Sequence, residues 1–215
     1  MIERTVDLRG DPERELADVA EHIRSGGTIA YPTETVYGIG ALPDPAGVAA
    51  VQRVKGRAAD KPLIVLVPSA RDAEGLRWTN EARTLAEIFW PGSVTLVLED
   101  PDEIFPDGIR SPVGAVGVRL SPHPIVSRLL AALGAPLTST SLNAPGRAPA
   151  RSGTEAVAAL TEMASEGTWL LDVGTLPPSA PSTVVDCTGQ APVVLREGSV
   201  PVGRLRCALP EIRGS

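Results

Sequence analysis

Apolar residues near the start of the chain recur at helical spacing. Leu16, Val19, Ala20 and Ile23 fall at positions i, i+3, i+4 and i+7, which places them on one face of a helix. Start and stop signals frame this helix, since residues 11–12 form an Asp-Pro pair and residues 26–27 a Gly-Gly pair. The pattern therefore predicts an amphipathic helix that ends before residue 26.

Similar signals predict the other helices. An Asp-Pro pair opens one at residues 44–45 that runs to about 54, and Ser152 with Glu155 forms a capping box for one that runs to about 165. Three further helical segments are predicted from residue 69, from residue 80 to about 90, and over residues 124–133.

Strands alternate with these helices. Residues 63–67 read LIVLV, a continuous apolar run typical of a strand that is covered on both faces. Other strands are predicted at residues 28–31, 94–98, 113–120, 137–140, 169–173, 183–187 and 193–195, and residues 101–112 are rich in turn signals. The order predicts one α/β domain over residues 1–215, with a twisted sheet of parallel and antiparallel strands and flanking helices.

Composition narrows the function classes. The 215 residues are 43% hydrophobic, 21% charged and 3% aromatic, with 20 basic and 26 acidic side chains and a net charge of −6. The charge balance excludes a wholly basic nucleic-acid-binding surface, but not a local basic cleft. The low aromatic content argues against a protein that binds single strands by stacking bases on a row of rings.

Metal, redox and membrane roles are disfavoured by the sequence. Two cysteines and two histidines occur without a zinc-binding spacing, the first residues are charged, and no apolar run reaches the length of a membrane span. We expect a cytoplasmic protein with no protein-bound metal and no membrane partner. No nucleophile elbow, P-loop or dinucleotide-binding motif is present. His123, predicted to be a turn residue, and Cys187 and Cys207 receive no functional role.

Three polar segments carry candidate chemistry. Hydroxyl groups and a carboxylate follow a buried strand at Thr33, Glu34 and Thr35, where ligands bind in open α/β sheets. The alternative is an ordinary loop whose threonines cap its own backbone.

The second segment holds cations. Lys55, Arg57 and Lys61 lie between a helix end and a buried strand, and their side chains suit phosphate oxygens. The alternative is a solvated helix C-terminus, where basic residues favour the helix dipole.

The third segment is a hydroxyl-rich strand end. Ser139 and Ser141 lie in a run of four hydroxyl residues that precedes Asn143, which suits an anion or an ordinary turn. Arg119 lies within a predicted strand and must be paired or directed at an anionic ligand. Ser182 and Arg196 are further polar groups at strand edges.

Together these segments resemble the YrdC-like family. The resemblance covers residues 26–198 and is carried by GGTIAYPTETVYGIGA, KGR with KPLIVLV, WPGSVTLVL, VGVRLSPHP, TSTSLNAPG, PSTVVD and LREGSV. It implies a sheet around a basic cavity and a nucleotidyltransferase that condenses L-threonine, bicarbonate and ATP into threonylcarbamoyl-adenylate and pyrophosphate. That product would serve the threonylcarbamoyladenosine modification of tRNA through a separate transfer machinery.

The resemblance also implies residue roles. The family signature maps onto a catalytic group of Lys55, Arg57, Ser141 and Asn143. ATP would be bound by Arg57, Lys61, Ser141 and Arg196. Threonine would be bound by Thr33, Arg119, Ser139 and Ser182. Magnesium is expected to be carried by the nucleotide, because Glu34 and Asp186 are poor candidates for metal ligands.

The sequence departs from the family pattern at some positions, and it is compatible with two other functions. Leu66 stands where long members of the family have a histidine, and Leu142 stands in the middle of the Ser-Asn motif. Long members carry an extra C-terminal domain, and we expect the short form here, with a motif-bearing core at about 12–200 and the tail at 201–215. Two other functions stay open: a module that binds double-stranded RNA or the ribosome, and a paralogue that makes a carbamoyl-adenylate for another acceptor.

Overall fold

The computed structural model describes residues 3–8, 12–56 and 61–214. In this part of the chain the strands are β1 Arg4–Asp7, β2 Thr28–Pro32, β3 Tyr37–Gly40, β4 Ile64–Leu66, β5 Val94–Glu99, β6 Ala115–Arg119, β7 Leu137–Ser141, β8 Thr168–Asp172, β9 Thr183–Asp186, β10 Val193–Arg196 and β11 Arg213–Gly214. The α-helices are α1 Pro12–Arg24, α2 Pro45–Lys55, α3 Asn80–Phe89, α4 Pro124–Leu133, α5 Gly153–Glu162 and α6 Val202–Ala208.

The strands form one mixed sheet in the order β1-β8-β2-β3-β7-β4-β6-β5-β9-β10-β11. Five neighbouring pairs are parallel and five are antiparallel. Strand β7 lies in the middle of the order and pairs antiparallel with both β3 and β4. The predicted α/β class with a mixed sheet is confirmed.

The two faces of the sheet carry two hydrophobic clusters. Successive side chains of a strand point to opposite faces, so Ala30 packs in one cluster while its neighbours Ile29 and Tyr31 pack in the other. The larger cluster includes buried side chains of α2, α3, α5 and α6, and the smaller one those of α1 and α4. The predicted apolar face of α1 is confirmed, since Leu16 and Ile23 are among its buried residues.

Most helix ends follow their local signals. The Asp44 carboxylate accepts a hydrogen bond from the Gly47 amide at 2.7 Å, and Gly56 ends α2 in the left-handed conformation at φ 53°. Helix α4 has the predicted bounds, and the ring of His123 caps it by accepting from the Ile125 amide. The predicted capping residue at position 11 lies outside the described residues.

Some elements differ from the predictions. The helix predicted from residue 69 is a single 3₁₀ turn, Ala70–Ala73, which opens with hydrogen bonds from the Ser69 amide and hydroxyl to the Asp72 carboxylate. It ends just before Gly75, a poor helix former. Strand β3 lies where the sequence indicated only a loop. Its glycines are needed for close pairing, since a Cβ on Gly40 would lie 1.9 Å from the Thr138 oxygen. Strands β1 and β11 and helix α6 were also not predicted.

Candidate active site

A cleft of about 330 Å³ opens on the face of the sheet that carries Ser139 and Ser141. Leu137 lies on the same face of β7 and packs in the cluster of α1 and α4, so the cleft continues the sheet surface beyond those two helices. Its lining is Thr33, Thr35, Val36, Gly38, Pro62, Ile64, Arg119, Ser139, Thr140, Ser141, Pro149, Pro181, Ser182, Val184 and Arg196. Hydroxyl groups and two guanidinium groups therefore meet on one surface.

Arg119 is a buried cation at the end of β6. Its Nη1 lies 3.5 Å from the Glu34 Oε1, and the two side chains are 4% and 14% exposed. Its Nε has no hydrogen-bond partner in the described part of the chain. A guanidinium group is a planar fork of donors, and burying one without acceptors is costly. The free Nε edge, together with its place in the lining, fits it to receive a carboxylate.

A bulge in β10 directs Arg196 into the cleft. Val194 pairs with Val185, but Arg196 pairs with Val184, so Leu195 is the extra residue. Val194 and Val185 pack in the larger cluster on the opposite face, and an unbroken ladder would turn residue 196 toward that cluster as well. The extra residue reverses this direction, as bulges beside functional sites commonly do.

Ser182 holds the redirected Arg196. The Arg196 Nε and Nη2 donate to the Ser182 backbone oxygen at 3.2 and 2.9 Å, and Nη2 also lies 3.3 Å from the Ser182 hydroxyl. That hydroxyl is 3.0 Å from the Thr95 hydroxyl. Burial, and secondly the charge of Arg119, lower the pKa of Arg196. The two guanidinium groups thus repel each other, which an anion between them would relieve.

Hydrogen bonds from Lys55 and to Asn143 hold the turn after β7 in place. The Ser141 hydroxyl donates to the Asn143 Oδ1 at 2.6 Å, and the Asn143 side-chain amide donates to the backbone oxygens of Ala144 and Arg147 at 3.0 Å. Buried Lys55 donates to the Ser141 backbone oxygen at 2.9 Å and also to the backbone and side-chain oxygens of Asn143. The turn therefore presents the Ser141 hydroxyl in a fixed position.

Thr33 forms its own turn at the cleft edge. Its hydroxyl donates to the Val36 backbone oxygen at 2.7 Å and accepts from the amides of Thr35 and Val36. Because a hydroxyl has one proton, the Thr35 hydroxyl must be the donor in the 3.1 Å contact between the two threonines. This geometry matches the alternative in which the threonines cap their own loop, and threonine binding by Thr33 stays a prediction.

The structure brings most of the predicted site residues together. Six line the cleft: Thr33, Arg119, Ser139, Ser141, Ser182 and Arg196. Lys55 and Asn143 lie behind Ser141, and Lys61 is exposed and does not contribute to the lining. Arg57 lies outside the described residues, so its expected position opposite Ser141 stays a prediction.

The sequence did not indicate the network that fixes Arg119. The Glu34 Oε1 accepts from the Ser93 hydroxyl at 3.0 Å, and its Oε2 accepts from the Ser121 hydroxyl at 2.6 Å. These residues are 59 and 87 positions from Glu34 in the chain. The one available signal was that Ser121 follows Arg119 by two residues, which keeps both on the same side of an extended chain.

Neither carboxylate considered for magnesium suits a metal. Glu34 is held by Arg119 and two serines, and Asp186 accepts from the Thr188 amide and hydroxyl at 2.9 and 2.7 Å. Within residues 3–8, 12–56 and 61–214, no group of three or more His, Cys, Asp or Glu side chains is placed to hold a metal ion. The residues present therefore do not fit a magnesium ion held by the protein.

A larger depression of about 480 Å³ lies elsewhere, beside Gly26, Gly27 and Ser165. Among the residues that line it, none is one of the nine predicted site residues within the described part of the chain. We therefore place the candidate site in the smaller cleft, where the polar motifs converge.

The fold and the cleft define a class of protein: an α/β domain whose mixed sheet carries a polar cleft lined by two arginines. The model of the Sua5–YciO–YrdC family, described as "Telomere recombination", matches residues 21–198. The chain belongs to this family. In the described part of the chain, no helix is long and apolar enough to cross a membrane.

Relatives of known structure and name agree with this assignment. The threonylcarbamoyl-AMP synthase of Pyrococcus abyssi is 35% identical over 204 residues, which cover 94% of this chain and 59% of that protein. The crystal structure of P. abyssi Sua5 complexed with L-threonine superposes with a TM-score of 0.90 at 34% identity, covering 99% of this chain and 62% of that one. Escherichia coli YciO superposes with a TM-score of 0.80 at 26% identity, covering 94% and 98%. This chain thus spans about three fifths of the P. abyssi proteins.

Proposed function

We propose that this protein is an L-threonylcarbamoyladenylate synthase that joins L-threonine, bicarbonate and ATP and releases pyrophosphate. The observation that carries the proposal is the buried Arg119, which lines a polar cleft and whose Nε has no hydrogen-bond partner in the described part of the chain. Its ion pair with Glu34 leaves this donor unused, and an anionic ligand would satisfy it. The name of the P. abyssi relative and the L-threonine in its Sua5 structure support threonine as that ligand.

Threonine would bind at the Arg119 side of the cleft. Its carboxylate would accept from the guanidinium group of Arg119. Ser139 and Ser182 are buried hydroxyl residues in the same lining, at 4% and 3% exposure, and they suit the amine and hydroxyl groups of the amino acid. Thr33 contributes to the shape of this end through its turn.

ATP would bind at the side of Arg196 and Ser141. Arg196 is fixed by Ser182 and suits phosphate oxygens, and Ser141 is fixed by Asn143. Lys61 and Arg57 belong to the same proposal, with Lys55 and Asn143 supporting from behind the turn. Magnesium would arrive with the triphosphate.

The chemistry needs no protein nucleophile. The neutral amine of threonine attacks the carbon of bicarbonate, water is lost, and a carbamate forms. A carbamate oxygen then attacks the α-phosphorus of ATP, and the bond to the leaving pyrophosphate breaks. The protein contributes by holding the reactants together and by neutralising the charge that develops on pyrophosphate. The product would be passed to the machinery that modifies tRNA.

Substrate omission tests the proposal. The protein is incubated with ATP, bicarbonate and L-threonine, and pyrophosphate is measured with each substrate left out in turn. We expect release only with all three present. Release without threonine would contradict the proposal in favour of a paralogue with another acceptor. No release, together with salt-sensitive binding of duplex RNA, would contradict it in favour of an RNA-binding module.

A further inference from the structure

The two guanidinium groups of the cleft have unequal surroundings. Arg119 forms an ion pair with Glu34, whereas Arg196 is held by the carbonyl and hydroxyl groups of Ser182, which are neutral. No acidic side chain pairs with Arg196 in the part of the chain that the structure describes. One end of the cleft is therefore close to neutral, and the other keeps a full positive charge.

Glu34 is itself fixed in place. Each of its two carboxylate oxygens accepts from a serine hydroxyl, of Ser93 and of Ser121, so the group cannot rotate away from Arg119 without losing both contacts. Its side chain is 14% exposed, and at this burial water screens its charge poorly. Glu34 is not among the residues that line the cleft, and it reaches the cleft only through its contact with Arg119.

We infer that Glu34 sets the anion selectivity of the cleft, so that Arg119 accepts a singly charged carboxylate and rejects phosphate groups, which are left to Arg196. The attraction between an anion and the cleft grows in proportion to the charge of the anion, but the cost of removing that anion from water grows with the square of its charge. A weakly positive site offsets the desolvation of a carboxylate but not that of a phosphate dianion. The identity of the carboxylate as threonine rests on the proposed function.

The consequence concerns competition between substrates. With Glu34 in place, neither the triphosphate of ATP nor the released pyrophosphate occupies the amino-acid end of the cleft. Without the negative charge of Glu34, Arg119 and Arg196 would be two similar sites for phosphate groups. Glu34 is thus a specificity-determining residue that acts through Arg119.

Two simple anions test this selectivity. Acetate and inorganic phosphate are titrated separately into nitrogen-15-labelled protein, and binding is followed through the Nε–H resonance of Arg119, assigned with Arg119→Lys. In the Glu34→Gln variant we expect the affinity for phosphate relative to acetate to rise at least ~10-fold. Glu99→Gln is the matched control, since it removes the carboxylate from the Arg77–Glu99 pair. There the ratio should stay within about twofold of the original protein.

An unchanged ratio in Glu34→Gln, an equal rise in Glu99→Gln, or an original protein that binds neither anion at Arg119 would overturn the inference. Should Glu34→Gln not fold, Glu34→Asp keeps the charge but withdraws it by about one bond length, ~1.5 Å. A rise of at least ~3-fold is then expected, and no rise overturns the inference. A separate titration with L-threonine tests the proposed function: a protein that discriminates acetate from phosphate but ignores L-threonine refutes that function and leaves the selectivity standing.

Discussion

The Lys55 ammonium group donates to the backbone oxygen of Ser141 at 2.9 Å and so fastens the end of α2 to the end of β7. It also donates to the backbone and side-chain oxygens of Asn143. These contacts direct the ammonium group toward oxygens of the protein itself. A cation that the sequence indicated for phosphate binding is therefore used within the protein, where it fixes the turn that presents the Ser141 hydroxyl.

Replacing Lys55 should therefore affect the fold as well as the reaction. We expect Lys55→Met to lower the free energy of unfolding by about 3 kcal/mol, because it leaves buried oxygens without a donor. Arg53→Met, an exposed position on the same helix, should change it by less than about 0.5 kcal/mol. Urea denaturation measures both. An unaltered stability of Lys55→Met, with a raised KM for ATP, would show instead that Lys55 contacts the nucleotide.

The two arginines of the cleft should separate the two substrates. Lysine keeps the charge but loses the planar fork, so Arg119→Lys should raise the KM for L-threonine at least ~10-fold and leave the KM for ATP within about twofold. Arg196→Lys should do the reverse. Steady-state pyrophosphate release provides both constants. Equal effects of the two variants on both constants would contradict the division of the cleft.

The bulge at Leu195 gives a test that changes no charged residue. Deleting Leu195 removes the extra residue and places Arg196 directly after Val194, where an unbroken ladder still sets it opposite Val184 on the cleft face. We therefore expect kcat/KM to stay within about threefold, whereas Arg196→Ala should lose at least ~10-fold. Leu195→Ala keeps the extra residue and, because this side chain is 53% exposed, should also retain the activity. A loss in the deletion variant as large as that of Arg196→Ala would show that the bulge itself, and not only the face of the strand, positions Arg196.

Local signals explain which parts of this fold were predictable. The helices after Asp44, Pro124 and Ser152 were found because capping and apolar spacing act within a few residues. The hydroxyl groups and cations of the cleft were found because they stand out as polar residues in or beside apolar strands, and because the family resemblance gave them roles. The bulge at Leu195 was not predictable, since it depends on pairing with β9.

Two other features depend on contacts between distant residues. Glu34 and Arg119 form an ion pair although they are 85 positions apart in the chain. Neither segment contains a sequence signal that identifies the other as its partner. Strand β3 was missed because Gly38 and Gly40 lack strand propensity, and the closeness of β7 that requires them is not visible in the sequence.

Gly40 should tolerate no side chain. A Cβ there would lie 1.9 Å from the Thr138 backbone oxygen, so Gly40→Ala must move β3 away from β7. We expect a loss of more than about 2 kcal/mol in the free energy of unfolding. Gly203→Ala is the control, since a Cβ in that helix meets nothing within 4 Å. It should stabilise the protein by up to ~1 kcal/mol. A stable Gly40→Ala variant would show that the two strands separate at little cost.

The two cysteines should differ in reactivity. Burial, followed by the charge of Asp186, raises the pKa of the Cys187 thiol to about 12, whereas Cys207 is exposed. Only the thiolate is alkylated, so iodoacetamide at about pH 8 should label Cys207 alone in the folded protein and both cysteines in denaturant. Peptide mass spectrometry locates the label, and Cys207→Ser should remove it from the folded protein. Rapid labelling of Cys187 under native conditions would mean that the end of β9 opens readily.

The raised pKa of Cys187 also predicts a dependence of stability on pH. Because the folded thiol keeps its proton above the pH at which an unfolded one loses it, a rise from about pH 8.5 toward pH 12 should lower the free energy of unfolding.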